Sequence, residues 1–162
     1  MLEWLDTLSY ATWVRESLYG WAIVLTLHAF GNAMVVGFIF LIGLRLIGMF
    51  RTIPYNSLND ALIPTIWIGF AIQLFSGFSL FLTKPTRYGA DALFLTKMGF
   101  VLGGVILTLY FQKIYKAEVR ATGPRLAPSP RVVQIGLLAC FMWASVLIMG
   151  RLTAYLGQLY DV

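Results

Sequence analysis

Histidine and cysteine occur once each in these 162 residues, and only seven residues are acidic. The lone Cys140 excludes an intrachain disulfide, and within an apolar stretch it reads as a small packing residue. With one histidine there is no zinc cluster and no His/Met grouping with copper-ligand spacing. None of the acids falls inside a long apolar run, which argues against a proton relay of carboxylates and against a Ser-His-Asp set. A phosphate-cradling glycine loop is also missing, as are the inverted repeat and broken-helix pair of a secondary transporter. Charged residues make up 12%, about half the share of a soluble domain.

What is abundant is apolar sequence: 59% hydrophobic residues, with a mean hydropathy of +0.79. The runs are long enough to span a bilayer, so the expected fold class is all-α, a polytopic membrane four-helix bundle in one domain. Spans are expected at about 18–48, 61–83, 92–114 and 131–158, with Pro64 in the first turn of the second. Residues 1–17 place Leu2, Leu5, Leu8 and Trp13 against Glu3, Asp6, Arg15 and Glu16 at near-helical spacing, which predicts an N-terminal interfacial amphipathic helix. That segment has no basic n-region and is expected to be retained. Asp91 and Ser129 are expected N-caps, and Gly99-x-x-x-Gly103 a small-residue face for close helix contact. These segments account for almost all of the 162 residues, so no soluble domain is expected among them.

The net charge of +5 does not point to nucleic acid, because the basic residues cluster in connectors. Arg45, Arg51, Lys113, Lys116, Arg120, Arg125 and Arg131 fall on one side, against Arg15, Lys84 and Arg87 on the other. The positive-inside rule then places the basic loops in the cytoplasm and both termini in the periplasm.

Depth follows at about 1.5 Å per helical residue. His28 lies roughly 12–15 Å below the outer surface, Arg151 roughly 10 Å and Lys97 roughly 8 Å. Gln73, Ser76 and Ser79 occupy the outer half of the second span. Each has an ordinary explanation alone: snorkelling for Lys97, carbonyl bonds for Arg151, packing for His28. Together they make an outer-leaflet layer with two cations, one imidazole and no carboxylate, which calls for an anionic or lipid-like ligand. Haem b answers that description, with His28 as axial metal ligand and Lys97 and Arg151 on the propionates. A single histidine excludes bis-histidine ligation within one chain, leaving Met34, Met98, Met142 or Met149, a five-coordinate iron, or a haem shared between protomers. A quinone is the alternative, its carbonyl oxygens bonded by His, Arg or Gln and its ring packed on Trp67, Phe70 or Phe100.

Several short motifs resemble a family of small bacterial inner-membrane proteins of unknown function: His28-x-x-Gly31-x-Ala33, Leu44-Arg45-Leu46-Ile47-Gly48, Trp67-x-Gly69-Phe70-Ala71, Ser76-Gly77, Phe94-x-x-Lys97 and Gly150-Arg151-x-x-Ala154-Tyr155. The resemblance covers about residues 17–158 and implies a bacterial inner-membrane location, with Tyr155 joining the candidate site. More distantly, the chain is similar to copper-resistance D and cytochrome b561-like proteins, whose helical bundles hold haem. Members of that group often carry a second histidine late in the third span, where Phe111-Gln112-Lys113 stands here. The expected function is a redox or ligand-binding membrane subunit. Its rival is a non-catalytic structural or assembly subunit, whose polar residues satisfy one another and lipid phosphates. Both readings suit a homo-oligomer or a complex with other membrane subunits.

Overall fold

The computed structural model describes residues 3–123 and 127–159; Leu2 and Arg125 lie outside them. Among the described residues the chain is all helix: α1 (Glu3–Asp6), α2 (Ser9–Glu16), α3 (Leu18–Leu46), α4 (Tyr55–Phe81), α5 (Pro85–Ala90), α6 (Ala92–Thr122) and α7 (Pro130–Leu159). Four of them are long and apolar enough to cross a membrane, Leu18–Leu46, Tyr55–Phe81, Ala92–Thr122 and Pro130–Thr153. This is the make-up of a multi-pass membrane protein.

Local signals set the helix ends. Ser17 caps α3 by accepting the Gly20 N–H at 3.2 Å, and Asp91 caps α6 by accepting that of Leu93 at 2.9 Å. α3 stops at a Schellman turn, where Met49 N–H bonds Leu44 C=O, Gly48 N–H bonds Arg45 C=O, and Gly48 takes φ +99°. α4 begins six residues before the apolar run at 61, so Pro64 stands inside the helix and withholds the N–H that the Asp60 carbonyl would receive. α6 continues past 114 through good helix formers and ends at Gly123, φ +73°.

The four long helices run up and down. His28 faces Ser76 and Gly31 faces Gly69, while Gly104 faces Trp143 and Lys97 faces Gly150, so both pairs are antiparallel. α3–α4 and α6–α7 are the closest pairs, and α3 joins them by packing on α7. At the α3–α4 crossing a Cβ on Gly31 would lie 2.9 Å from both Gly69 O and Gln73 N, so glycine permits the approach. α3 meets α7 through Gly43 on Cys140 and Leu46 on Gly136, with the Cys140 thiol donating to Ile39 O. α4 and α6 are bridged by side chains, Tyr55 on Tyr115 at one end and Phe81 on Phe94 at the other. Between them, Phe70 meets Trp143, whose indole N–H bonds Thr108 Oγ1 at 3.1 Å.

Among the described residues the expected Gly99/Gly103 face makes almost no contact. Nothing lies near Gly99, and Gly103 meets only the Met142 sulfur, because α6 turns Gly104, Thr108 and Phe111 inward instead. The N-terminal segment is two helices rather than one. α2 is docked on the bundle: Ala11 and Val14 are fully buried, and Gly20 lies so near Trp13 that a Cβ would stand 2.6 Å from its carbonyl.

Candidate functional site

The bundle has a termini end, where α3 and α6 begin and α4 and α7 finish, and a loop end holding the α3–α4 and α6–α7 connectors. His28 is nearly three turns into α3 from the termini end, half-buried, on the face carrying the buried Val24, Gly31 and Val35. Its Nδ1 lies 3.0 Å from Ser76 Oγ, and Ser76 is fully buried. Gly77 leaves room for the ring, since a Cβ there would come within 3.1 Å of His28 Cε1.

The serine fixes which ring nitrogen carries hydrogen. Ser76 Oγ is 2.7 Å from Ile72 O and 3.4 Å from Gln73 O, and a carbonyl only accepts. The single hydroxyl hydrogen is therefore committed to the helix backbone, so toward the imidazole the serine accepts. Nδ1 is the protonated nitrogen. In a neutral imidazole so held, Nε2 presents a bare lone pair.

Gln73, one turn from Ser76, brings a shielded Oε1 with no partner among the described residues. Lys97 reaches in from α6: its Nζ lies 5.6 Å from the Phe94 ring centroid and 4.0 Å from the position of a Cβ on Gly150. Four candidates therefore share one region: His28, Ser76, Gln73 and Lys97. The other two do not join it. Arg151 is exposed on α7 and Tyr155 is 64% exposed. Among the described residues no group of three or more His, Cys, Asp or Glu side chains could hold a metal ion.

Above this region α2 forms a cover. Tyr10 donates to Ser79 Oγ at 2.8 Å, because Ser79 itself donates to Phe75 O at 2.9 Å, and Arg15 reaches Thr83 O at 3.4 Å.

A second polar group, at the loop end, is absent from the sequence reading. Arg45, there a loop-flanking cation, is 2% exposed and donates from Nε to Ile53 O at 3.0 Å. Its charge acts on the buried Tyr55; at the same end Asn59 and Gln112 are buried, and the Tyr115 hydroxyl is 3.2 Å from both Asn56 O and Asp60 Oδ1. The spacings Tyr55-x-x-x-Asn59 and Gln112-x-x-Tyr115, each on one helical face, are the signal that was available. Comparison of the chain with protein-family models, curated proteins and solved structures gives no match.

Proposed function

We propose that this chain is a ligand-binding subunit of the bacterial inner membrane, both termini periplasmic, whose site at His28 takes a redox-active lipid-like molecule of the quinol class. The carrying observation is the Ser76-fixed tautomer. A lone pair on Nε2 accepts a hydroxyl hydrogen, and the reduced, hydroxyl-bearing form of a quinone offers one. Gln73 Oε1 is a second unpaired acceptor, and Lys97 supplies a donor to a further oxygen of the headgroup. Among the described residues Lys97 forms no salt bridge, which suits an oxygen-rich partner.

Haem b is the second reading, and one observation favours it: an imidazole that donates from Nδ1 and leaves Nε2 free is the usual posture of a metal-ligating histidine. His28 would hold the iron and Lys97 a propionate, and the group would supply one-electron transfer. The remaining donors fit it less well. Arg151, assigned to the other propionate, is exposed; Met34 packs on Gly69 and the Met142 sulfur on Gly103.

The deciding experiment is spectroscopy and native mass spectrometry on protein purified in lipid nanodiscs, with His28→Ala beside it. Co-purifying quinone lost in the variant, without a Soret band, supports the quinol reading. A Soret band lost in the variant moves the site to haem b. Protein with neither, whose oligomer survives His28→Ala, is a structural subunit.

A further inference from the structure

Four side-chain polar atoms at the loop end are shielded and make no well-formed hydrogen bond among the described residues: Tyr55 Oη, which has only a loose contact with the Asn59 amide, Asn56 Oδ1, Asn59 Oδ1 and Gln112 Nε2. Tyr55 and Asn59 are 2% and 1% exposed, and Gln112 is 9% exposed. Unpaired groups of this kind are expensive, and native interiors leave very few. Their identities specify what they lack. Gln112 Nε2 is a donor, Asn56 Oδ1 and Asn59 Oδ1 are acceptors, and the Tyr55 hydroxyl is both. The Asn59 orientation is set by its own bond, Nδ2 to Tyr55 O at 3.2 Å, which turns Oδ1 away from that carbonyl.

A cation would meet the amide oxygens but confront the Gln112 N–H and the Arg45 charge that acts on this same space. An anion would meet the donors but confront two amide oxygens. A neutral partner that both donates and accepts satisfies all four. We propose that Tyr55, Asn56, Asn59 and Gln112 enclose an internal hydration site, a cluster of at least two water molecules bound between α4 and α6.

Its limits are visible. On the solvent side Tyr115 closes it, edge-on to Tyr55 at 5.2 Å and tied by its hydroxyl to Asn56 O and Asp60. One turn deeper the walls become apolar. A cavity of about 20 Å³ lies there among Ile39, Ile42, Ile63, Ile66, Thr108, Phe111, Gly136 and Ala139. The only hydroxyl on its wall, that of Thr108, already donates to Gly104 O and accepts from Trp143. A cavity with so little to offer stays dry. The water therefore ends at Asn59 and Gln112, and the site is a blind pocket rather than part of a channel.

Radiolytic hydroxyl-radical labelling tests this on the full chain in nanodiscs, because bound water oxidises adjacent side chains whatever their exposure to bulk. Trp143, 3% exposed with its N–H bonded to Thr108, is the dry control. Tyr55 should label several-fold faster than Trp143, and mixing with 18O-water should place the heavy isotope on Tyr55 with a delay relative to exposed Trp4. In the double variant Asn59→Leu/Gln112→Leu the Tyr55 rate should fall to that of Trp143, and thermal stability should drop. The single variant Gln112→Met serves if the double variant does not fold. Wild-type Tyr55 as protected as Trp143 overturns the proposal, and so does a Leu or Met variant as stable as wild type, because dry unpaired groups would be relieved by apolar replacement.

Discussion

Replacing Ser76 with alanine should change the chemistry of His28 more than it changes the fold. The hydroxyl contributes one bond to Nδ1 at 3.0 Å, anchored by its own bond to Ile72 O at 2.7 Å. A net side-chain hydrogen bond is worth about 1 kcal/mol, which biases the imidazole tautomer about fivefold toward Nδ1–H. Without it the two tautomers approach equal weight. The stability cost stays near the same ~1 kcal/mol, because the change deletes one oxygen atom and the space it leaves is smaller than a methyl group. The chain holds one histidine, so 15N solid-state NMR of histidine-labelled protein reports a single ring and needs no assignment. The wild type should show a protonated Nδ1 and a bare Nε2; Ser76→Ala should show a mixture, with about fivefold weaker quinol binding. Wild-type protein with hydrogen on Nε2, or a Ser76→Ala spectrum identical to wild type, would refute the tautomer argument and the function drawn from it.

Gly31→Ala should destabilise the bundle by about 1–3 kcal/mol, because its Cβ would meet backbone atoms of Gly69 and Gln73 at 2.9 Å and the helices must part. Gly99→Ala, in open space on α6, should be neutral or stabilising by up to ~1 kcal/mol; a matched pair of thermal unfolding curves reads both, and equal losses would count against the interhelical packing described above. Trp143→Phe should cost about 1–2 kcal/mol by deleting the 3.1 Å bond to Thr108, and Thr108→Val in that background should cost much less than it does alone. Tyr10→Phe removes the 2.8 Å bond to Ser79 and should raise hydrogen exchange in residues 9–16 about fivefold, leaving α3 and α4 unchanged.

Depth was legible in the sequence and direction was not. Counting residues from the span ends brought His28, Gln73, Ser76 and Lys97 to one level, and the folded chain has them in one region. Arg151 has a similar depth but the wrong azimuth: Gly150 faces Lys97, and one further residue turns the chain about 100° around α7. The sequence gives no α7 register because the apolar residues cover every side of that helix. Hydropathy also misplaced the start of α4 and the end of α6. It reads where the chain is apolar, whereas Tyr55–Asp60 and Lys113–Thr122 stay helical while becoming polar. The loop-end group was hidden for the same reason. A polar residue near a span end looks solvated until packing with α4 and α6 removes Arg45, Asn59 and Gln112 from water.

The position of α2 bears on how a ligand reaches His28. The Tyr10–Ser79 bond, the Arg15–Thr83 contact and the close seat of Trp13 on Gly20 cover the termini end one turn beyond Ser76. A water-soluble ligand arriving along the bundle axis would have to displace that helix, with Ala11 and Val14 leaving full burial. Toward the opposite end lies the apolar core that includes Ile63, Ile66 and Phe111, which offers a polar ligand no partner. The α3–α7 contacts fall at Ile39, Gly43 and Leu46, the first of them eleven residues, about 16 Å, beyond His28. The remaining approach is sideways, from the bilayer, between helices. A molecule that travels there carries an apolar tail and hides its polar atoms until it meets an acceptor. That physical requirement, more than the inventory of side chains, is what favours the proposed quinol over a soluble anion at the His28 lone pair.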